Sequence, residues 1–396
     1  MKILQICHKP PYPDTDGGTM ASYSIARSLH EAGHHIEIFS LSTAKHPERE
    51  VSDSVLTKIK AHYSFADTRV KPAAAFKSLF EKQSYHLSRF YSDLAAEKLR
   101  KVLESKSFDV VVFESLYTAV YLPLVRAVSA AACIYREHNI ESSLWKQRAT
   151  KMKLPAKTVL HRFNQKLTKF EFEVINDFDG IAYISKTDAE IMKGRGIDIP
   201  GIYIPFSYYH QNTDNHNEIE TVRGKIGFIG SLNWDPNIEG IQRFLRNVWP
   251  GVNRQHPTAE FHIAGRGYNS KLTKLKTSGV YFSGEVKSAP DFMKSCSMLV
   301  VPLYESSGVR VKIVEASALG VPVITTPAGA KGLDMPEDAI AVCESDAYFS
   351  REISRMLTNE THRKTRGKKA REHILKTHHP AKTAKDLSLF IERLIN

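Results

Sequence analysis

Short apolar runs of about five to eight residues, each broken off by charges, recur along the chain with helical stretches between them. Lys2–His8 reads as a buried strand. A Pro/Asp/Gly loop follows it, then a helix from about Thr19 to Ala32 that closes at Gly33 as a C-cap before a strand at His35–Leu41. Asp109–Glu114 (DVVVFE), Ala132–Arg136 and Gly180–Ser185 are further runs rich in β-branched residues, as in a parallel sheet buried on both faces. Roughly Tyr208–Arg223, holding HQNTDNHNEIE, is polar and reads as a domain boundary. The rhythm then restarts, with strands predicted at Lys225–Ile229, Glu260–Ala264, Val280–Ser283, Met298–Pro302, Pro322–Thr325 and Ala339–Cys343. Helices are predicted between them, including Asn237–Val248 and Val309–Leu319. Two such series predict an α/β protein with two doubly wound parallel sheets. The closing stretch Ala381–Ile395 is amphipathic, with Leu387, Phe390, Ile391 and Leu394 on one face. It follows a sheet that is already complete, so it needs another surface to cover.

At 396 residues the chain suits two domains better than one core. No run of about 18 apolar residues occurs, which argues against a transmembrane helix. The start, MKILQICHKPPYPD, enters a strand pattern directly and lacks the features of a signal peptide. Cys7, Cys133, Cys296 and Cys343 stand far apart without metal-ligand spacing, which favours a reducing, cytoplasmic setting over disulfides or zinc. The formal charge of +12 favours anionic partners: nucleic acid, acidic lipid or phosphate-bearing small molecules.

The segment most informative about chemistry is Val301–Gly320, VPLYESSGVRVKIVEASALG. A strand ends, a loop of Ser306, Ser307 and Gly308 follows, and a helix is predicted to open near Gly308–Val309. Open backbone N–H groups at such a helix start attract an anion. Arg310 and Lys312 add positive charge there. Glu315, about two turns from the loop, can accept two hydroxyl hydrogen bonds from a ribose.

This segment resembles the donor-binding helix of GT-B glycosyltransferases, specifically the retaining family four, in the form G-S-G-x-R-x-K-x-x-E-A. Gly227–Asn237 (GFIGSLNWDPN) resembles the first loop of that group's C-terminal domain, Val248–Pro250 its following helix end, FHIAGRG at Phe261–Gly267 its I-x-G-x-G turn, and Ser283–Val286 the strand end that holds the base. The resemblance implies two Rossmann-like domains facing across a cleft: an acceptor domain over 1–207, joined by a returning helix at 380–396, and a nucleotide-sugar donor domain over 208–379. It implies that Glu315 binds the ribose and that Arg310 and Lys312 neutralise the diphosphate. Backbone at Ser307, Gly308 and Val309 would hold phosphate or sugar hydroxyls, Gly284 and Val286 would flank the base, and Gly230, Asn237 and Arg266 would line the donor. Gly17 and Gly18 would form a turn, with φ > 0 available, that approaches donor phosphate or acceptor. Two departures stand out. Ser307 replaces the first carboxylate of an E-x7-E pair, and Glu114 stands where many relatives carry a histidine, either near the reacting sugar or as a strand-end charge.

His138, in Arg136-Glu-His-Asn139, ends another strand of the first sheet. It is a catalytic candidate for contacting the sugar or positioning the acceptor hydroxyl, with a structural role as the alternative. Asp14-Thr-Asp16 is a D-x-D triplet but lies straight after the first strand, where turn chemistry explains it better than a metal. The expected reaction is metal-independent transfer from a nucleotide-diphosphate sugar to a glycan, lipid-linked or other hydroxyl acceptor, as in polysaccharide or lipopolysaccharide synthesis. Lys146–Lys169 carries eight Lys or Arg residues and no acid, with apolar residues interleaved, which suits an anionic membrane surface. A second basic run is Arg363–Arg371. No nucleic-acid motif accompanies either, so nucleic acid is not expected as a partner. Competing readings are a nucleotide-sugar epimerase on the same fold and a non-catalytic basic module binding membrane or nucleic acid.

Overall fold

The computed structural model describes the chain except for residues 14–15, 50–54, 82–83, 210–220, 268–271, 273–276 and 306–307. The described residues form two compact units, Met1–Ser207 with Pro380–Asn396, and Tyr208–His379. In the first unit the strands are β1 (Lys2–Cys7), β2 (His35–Ser42), β3 (Lys60–Phe65), β4 (Val110–Glu114), β5 (Ala132–Glu137), β6 (Gly180–Tyr183) and β7 (Gly201–Tyr203). They lie in the order β3-β2-β1-β4-β5-β6-β7, and every pairing is parallel. The second unit repeats the plan with β8 (Val222–Ile229), β9 (Glu260–Ala264), β10 (Val280–Gly284), β11 (Cys296–Val301), β12 (Val323–Thr325) and β13 (Ala341–Val342), ordered β10-β9-β8-β11-β12-β13. Both are doubly wound α/β sheets. The order reverses between β1 and β4 in one and between β8 and β11 in the other, and ligands seat at such switch points, beyond the carboxyl ends of the strands.

Strand register decides which side chains share a face. Cys7 pairs with Glu114 and Glu114 with Arg136, so Gln5, Glu114 and Arg136 point the same way from neighbouring strands. That face also carries Ile3, Val110, Ile134 and Ala182, and the helices Gly17–Glu31 and Pro380–Ile395 cover it. The terminal helix buries Ala384, Leu387, Phe390 and Ile391 there, so its apolar stripe covers the sheet of the first unit. Ser207 and Thr383 hydroxyls meet at 2.6 Å, and His34 Nε2 lies 2.7 Å from Ser388 Oγ. Gly180 on β6 makes room: a Cβ would lie 2.7 Å from Leu394 Cδ1 and 2.8 Å from Phe390 Cζ.

Some expectations are corrected. Gly17 and Gly18 are the first helical residues, and neither has a positive φ. The turn expected of them is supplied by Asp16, which caps the helix by accepting the amides of Gly18 at 2.9 Å and Thr19 at 3.0 Å. The helix expected near Gly308–Val309 starts at Val311 and ends at Ala318. Of the boundary expected at Tyr208–Arg223, residues 210–220 lie outside the described residues, and Val222 and Arg223 belong to β8. Strands β3 and β7 had no counterpart among the predicted elements.

Gly180→Val should destabilise the first unit by about 1–3 kcal/mol through overpacking against the terminal helix. Gly180→Val combined with Leu394→Ala should cost less than the sum of the two single changes. Urea unfolding of the four proteins measures both quantities.

Candidate functional site

In the second unit, the ends of β8, β9 and β10 are stapled by backbone bonds from Gly230 N to Ala264 O (3.1 Å), Leu232 N to Arg266 O (2.7 Å) and Gly265 N to Gly284 O (2.7 Å). Such close approach requires glycine. A Cβ on Gly265, at φ +148, would drive into the Gly230 carbonyl, and one on Gly230 would strike the Lys312 ammonium. Lys312 is the second residue of the Val311–Ala318 helix. Its Nζ lies 3.2 Å from Asn237 Oδ1 and 4.4 Å from the Phe228 ring centroid, while Asn237 donates through Nδ2 to Ser231 O at 2.8 Å. Arg310 precedes the helix. Its guanidinium donates to Gly308 O at 3.1 Å and stands 5.4 Å from the Trp234 ring centroid. Gly308 has φ +67, in the left-handed region glycine favours. Val309 and Glu315 are half-buried, and Ser307 lies outside the described residues.

These residues come from three elements: the loop after β8, the helix that follows it, and the loop and helix after β11. All converge on one ammonium group. Burial, then the neighbouring Arg310, pushes Lys312 down from its ordinary value to about 7, with Glu315 pulling the other way. An anion arriving there would restore the charge.

Arg266 pairs with Glu285 at 2.6 Å near the surface; Gly284 has φ +64, and Val286 packs against the apolar cluster below β11. Tyr304 anchors the β11 loop, donating to Asp346 at 2.9 Å while Arg243 stacks on its ring at 3.9 Å.

In the first unit, Glu114 is wholly buried at the end of β4. Its carboxylate accepts from Gln5 Nε2 (2.7 Å), Ser22 Oγ (3.1 Å) and Arg136 Nη1 (3.0 Å), and makes a short contact with His138 Nε2. The reading in which Glu114 itself meets a sugar does not fit this enclosure. Glu114 is a positioning group, holding Arg136 and His138. Burial alone would raise its pKa, but Arg136 and His138 together hold it well below the usual carboxylate range. His138 is 8% exposed, and no partner for its Nδ1 occurs among the described residues. Burial lowers its pKa, and Glu114 opposes this. The partners of Glu114 (Gln5, Ser22 and Arg136) were missed as a group, although strand parity at Gln5 and Arg136 carries a signal for two of them. Also missed was Lys9, which grips both oxygens of Asp16 at 2.7 Å. Asp14 and Thr15 of the D-x-D triplet lie outside the described residues. Among the described residues, no group of three or more His, Cys, Asp or Glu could hold a metal, the four cysteines are free and buried, and no helix is long and apolar enough to cross a membrane.

Residues 223–359 match the family described as glycosyl transferases group 1. Sucrose-phosphate synthase of Thermosynechococcus elongatus is similar in fold over 100% of this chain and 99% of its own, with a TM-score of 0.71 at 14% identity. The second unit therefore carries a group 1 glycosyl transferase domain, and the chain has the GT-B fold. Also similar in fold is a TarM variant of S. aureus, solved with fondaparinux, α-GlcNAc-glycerol and UDP. The TM-score is 0.68 at 12% identity, covering 98% of this chain and 99% of that one. A 44.6 kDa protein of the cps region of Klebsiella pneumoniae, described as uncharacterized, is 23% identical over 368 residues, 89% of this chain and 90% of that protein.

Two outcomes follow for this protein. Glu114→Ala leaves Arg136 buried without its counter-ion and should cost about 3–5 kcal/mol in urea unfolding at pH 7. Because Glu114 has a depressed pKa, its contribution is present above the unfolded value of 4.5 and is lost as pH falls below it, so the deficit of the variant should shrink in acid. Lys312 is the opposite case: its folded value of about 7 lies below the ordinary value of 10.5, so the unfolded chain binds more protons between them and wild-type stability rises with pH across that window. Lys312→Met should therefore raise Tm at pH 6–7, by about 2–4 °C for each kcal/mol relieved, with the gain vanishing above roughly pH 10. Thermal unfolding scanned across pH measures it.

Proposed function

We propose that this protein transfers sugar in glycan synthesis. We propose that its donor is a nucleoside-diphosphate sugar held in the second unit, that the acceptor is a hydroxyl of a glycan or glycoconjugate, and that the anomeric configuration is retained. The observation that carries this reading is the Lys312 ammonium, half out of water beside Gly230 and Asn237, one residue past the start of a helix at a sheet switch point. A diphosphate is the ligand whose charge would compensate it.

In this reading Lys312, Arg310 and the amides at the helix start neutralise the departing diphosphate, which is where charge grows in the transition state. Glu315, one turn beyond Lys312, accepts the ribose hydroxyls. The backbone of Gly308 and Val309 holds phosphate or sugar, and Gly284 and Val286 flank the base. His138, held by Glu114, meets the transferred sugar or the acceptor hydroxyl through the edge that Glu114 leaves unused. The acceptor attacks the anomeric carbon on the face the diphosphate leaves, and its proton passes to the leaving phosphate oxygen, so no protein nucleophile and no metal takes part. The UDP bound in the TarM structure supports uridine diphosphate sugars as the first donors to try.

A panel of nucleotide sugars, with acceptor glycans and product detection by mass spectrometry, tests the reading. Lys312→Ala should lower kcat by about 10²–10³-fold, and EDTA should leave turnover unchanged. Wild-type turnover by Lys312→Ala would remove its assigned role, and activity lost to EDTA and restored by Mg²⁺ would remove the metal-free step. Isomerised donor without transfer would point to an epimerase instead.

A further inference from the structure

The basic stretch Lys146–Lys169 has no part in the chemistry above. The chain folds it into two packed helices, Glu141–Thr150 and Ala156–Ile175, which follow β5 in the first unit. Between them lies a concavity of about 570 Å³. Lys146 from the first helix, Lys169 from the second and Arg195 from a following loop line it, with Glu173 the acid among its lining residues. Arg195 is held 5.2 Å over the Phe172 ring centroid, and Lys169 pairs with Glu173 at 3.7 Å. The Asn164 side chain belongs to the lining and is 7% exposed; its Oδ1 is buried with no hydrogen-bond partner among the described residues. Beneath the lining, the buried carboxylate of Glu171 accepts the amides of Glu141 at 2.7 Å and Ser142 at 3.1 Å, so these amides of the first turn are already taken. Any anion here must be met by side-chain cations.

Three cations against one acid make an anion seat, and its size suits part of a saccharide rather than a lone ion. Its place matters as much. Ser142, on its wall, is four residues past His138, just beyond the carboxyl end of β5. We propose that this concavity seats a negatively charged group, a carboxylate, sulfate or phosphate, carried by the acceptor saccharide. The assignment to an acceptor rests on the transferase reading; the seat itself does not.

Titration calorimetry on the full chain tests it, with the sulfated pentasaccharide fondaparinux, neutral maltopentaose and UDP as separate probes. Fondaparinux should bind more tightly than maltopentaose. Lys146→Ala with Arg195→Ala should weaken fondaparinux by about tenfold or more while leaving UDP affinity unchanged. Lys364→Ala with Lys368→Ala removes the same charge from exposed positions of the second unit and should leave both affinities alone. An unchanged fondaparinux affinity in the first pair, or an equal loss in both pairs, overturns the seat. So does a first pair that loses binding only to vesicles containing phosphatidylglycerol, since the charge would then serve a membrane. The UDP titration keeps the two readings apart: absent UDP binding in the wild type counts against the donor site, whatever fondaparinux does.

Discussion

Lys312 sits where a positive charge is hardest to keep. Burial works against the ammonium, Arg310 repels it, and the attraction of Glu315 does not make up the difference. Among the described residues, Nζ meets one amide oxygen, one aromatic face and a glycine that cannot carry a side chain. A charge left short of compensation is a cost to the fold and a reserve of binding free energy for an anion. The glycines around it make sense on the same terms. Gly230 and Gly265 let two strand ends close to backbone contact, and a Cβ on Gly240 would strike the Pro302 carbonyl, so the helix after β8 packs against the end of β11.

The first unit treats charge in the opposite way. Glu114 and Arg136 are both fully buried, yet each has the other within 3.0 Å, and Gln5, Ser22 and His138 take up the remaining capacity of the carboxylate. The Glu114 carboxylate itself has no capacity left for a ligand. Its product is orientation, because an imidazole with one edge fixed by a carboxylate offers the other in a set direction. A cation kept short of partners suits binding, whereas a closed ion-paired cluster suits positioning.

Most of the sheets could be read from the chain because buried parallel strands are dense in β-branched residues, as in VVVFE and ACIYRE. The two strands that escaped are the edge ones. KAHYSF of β3 is half-exposed and mixes charge with aromatics, and GIY of β7 is three residues long. The terminal helix showed its stripe in the pattern, whereas its return to the first unit was implied only by the family resemblance, since Gly180, which admits it, lies about two hundred residues away along the chain. Lys312, Arg310 and Glu315 were singled out as candidates by their spacing along one segment, of which the helix holds Lys312 and Glu315 while Arg310 precedes it. The helix start was misplaced by two or three residues because Gly308, Val309 and Arg310 are compatible with a first turn, and it is the φ of +67 at Gly308 that breaks it. Glu114 was visible as a strand-end carboxylate. That it is closed off could not be seen, because its partners come from β1, β5 and the first helix and meet only when the sheet is ordered.

Strand alternation also explains how Arg136, which donates to Ala21 O and to Glu114, keeps a single carboxylate partner. Glu137 is its neighbour in sequence and is just as buried, so it could compete for the guanidinium. On β5 the two side chains leave opposite faces of the sheet: Arg136 goes with Ile134 toward the first helix, and Glu137 goes with Tyr135 toward the other side. There, burial and the carboxylates of Asp188, Glu171 and Glu141 push Glu137 well above the ordinary range, which disfavours the charge that would compete for Arg136. The ion pair is therefore selected twice, once by the pleat and once by the company Glu137 keeps. Replacing those acids with neutral side chains would let Glu137 ionise more readily and draw on Arg136, and the first consequence would be felt at His138, whose orientation depends on Glu114 remaining tightly held.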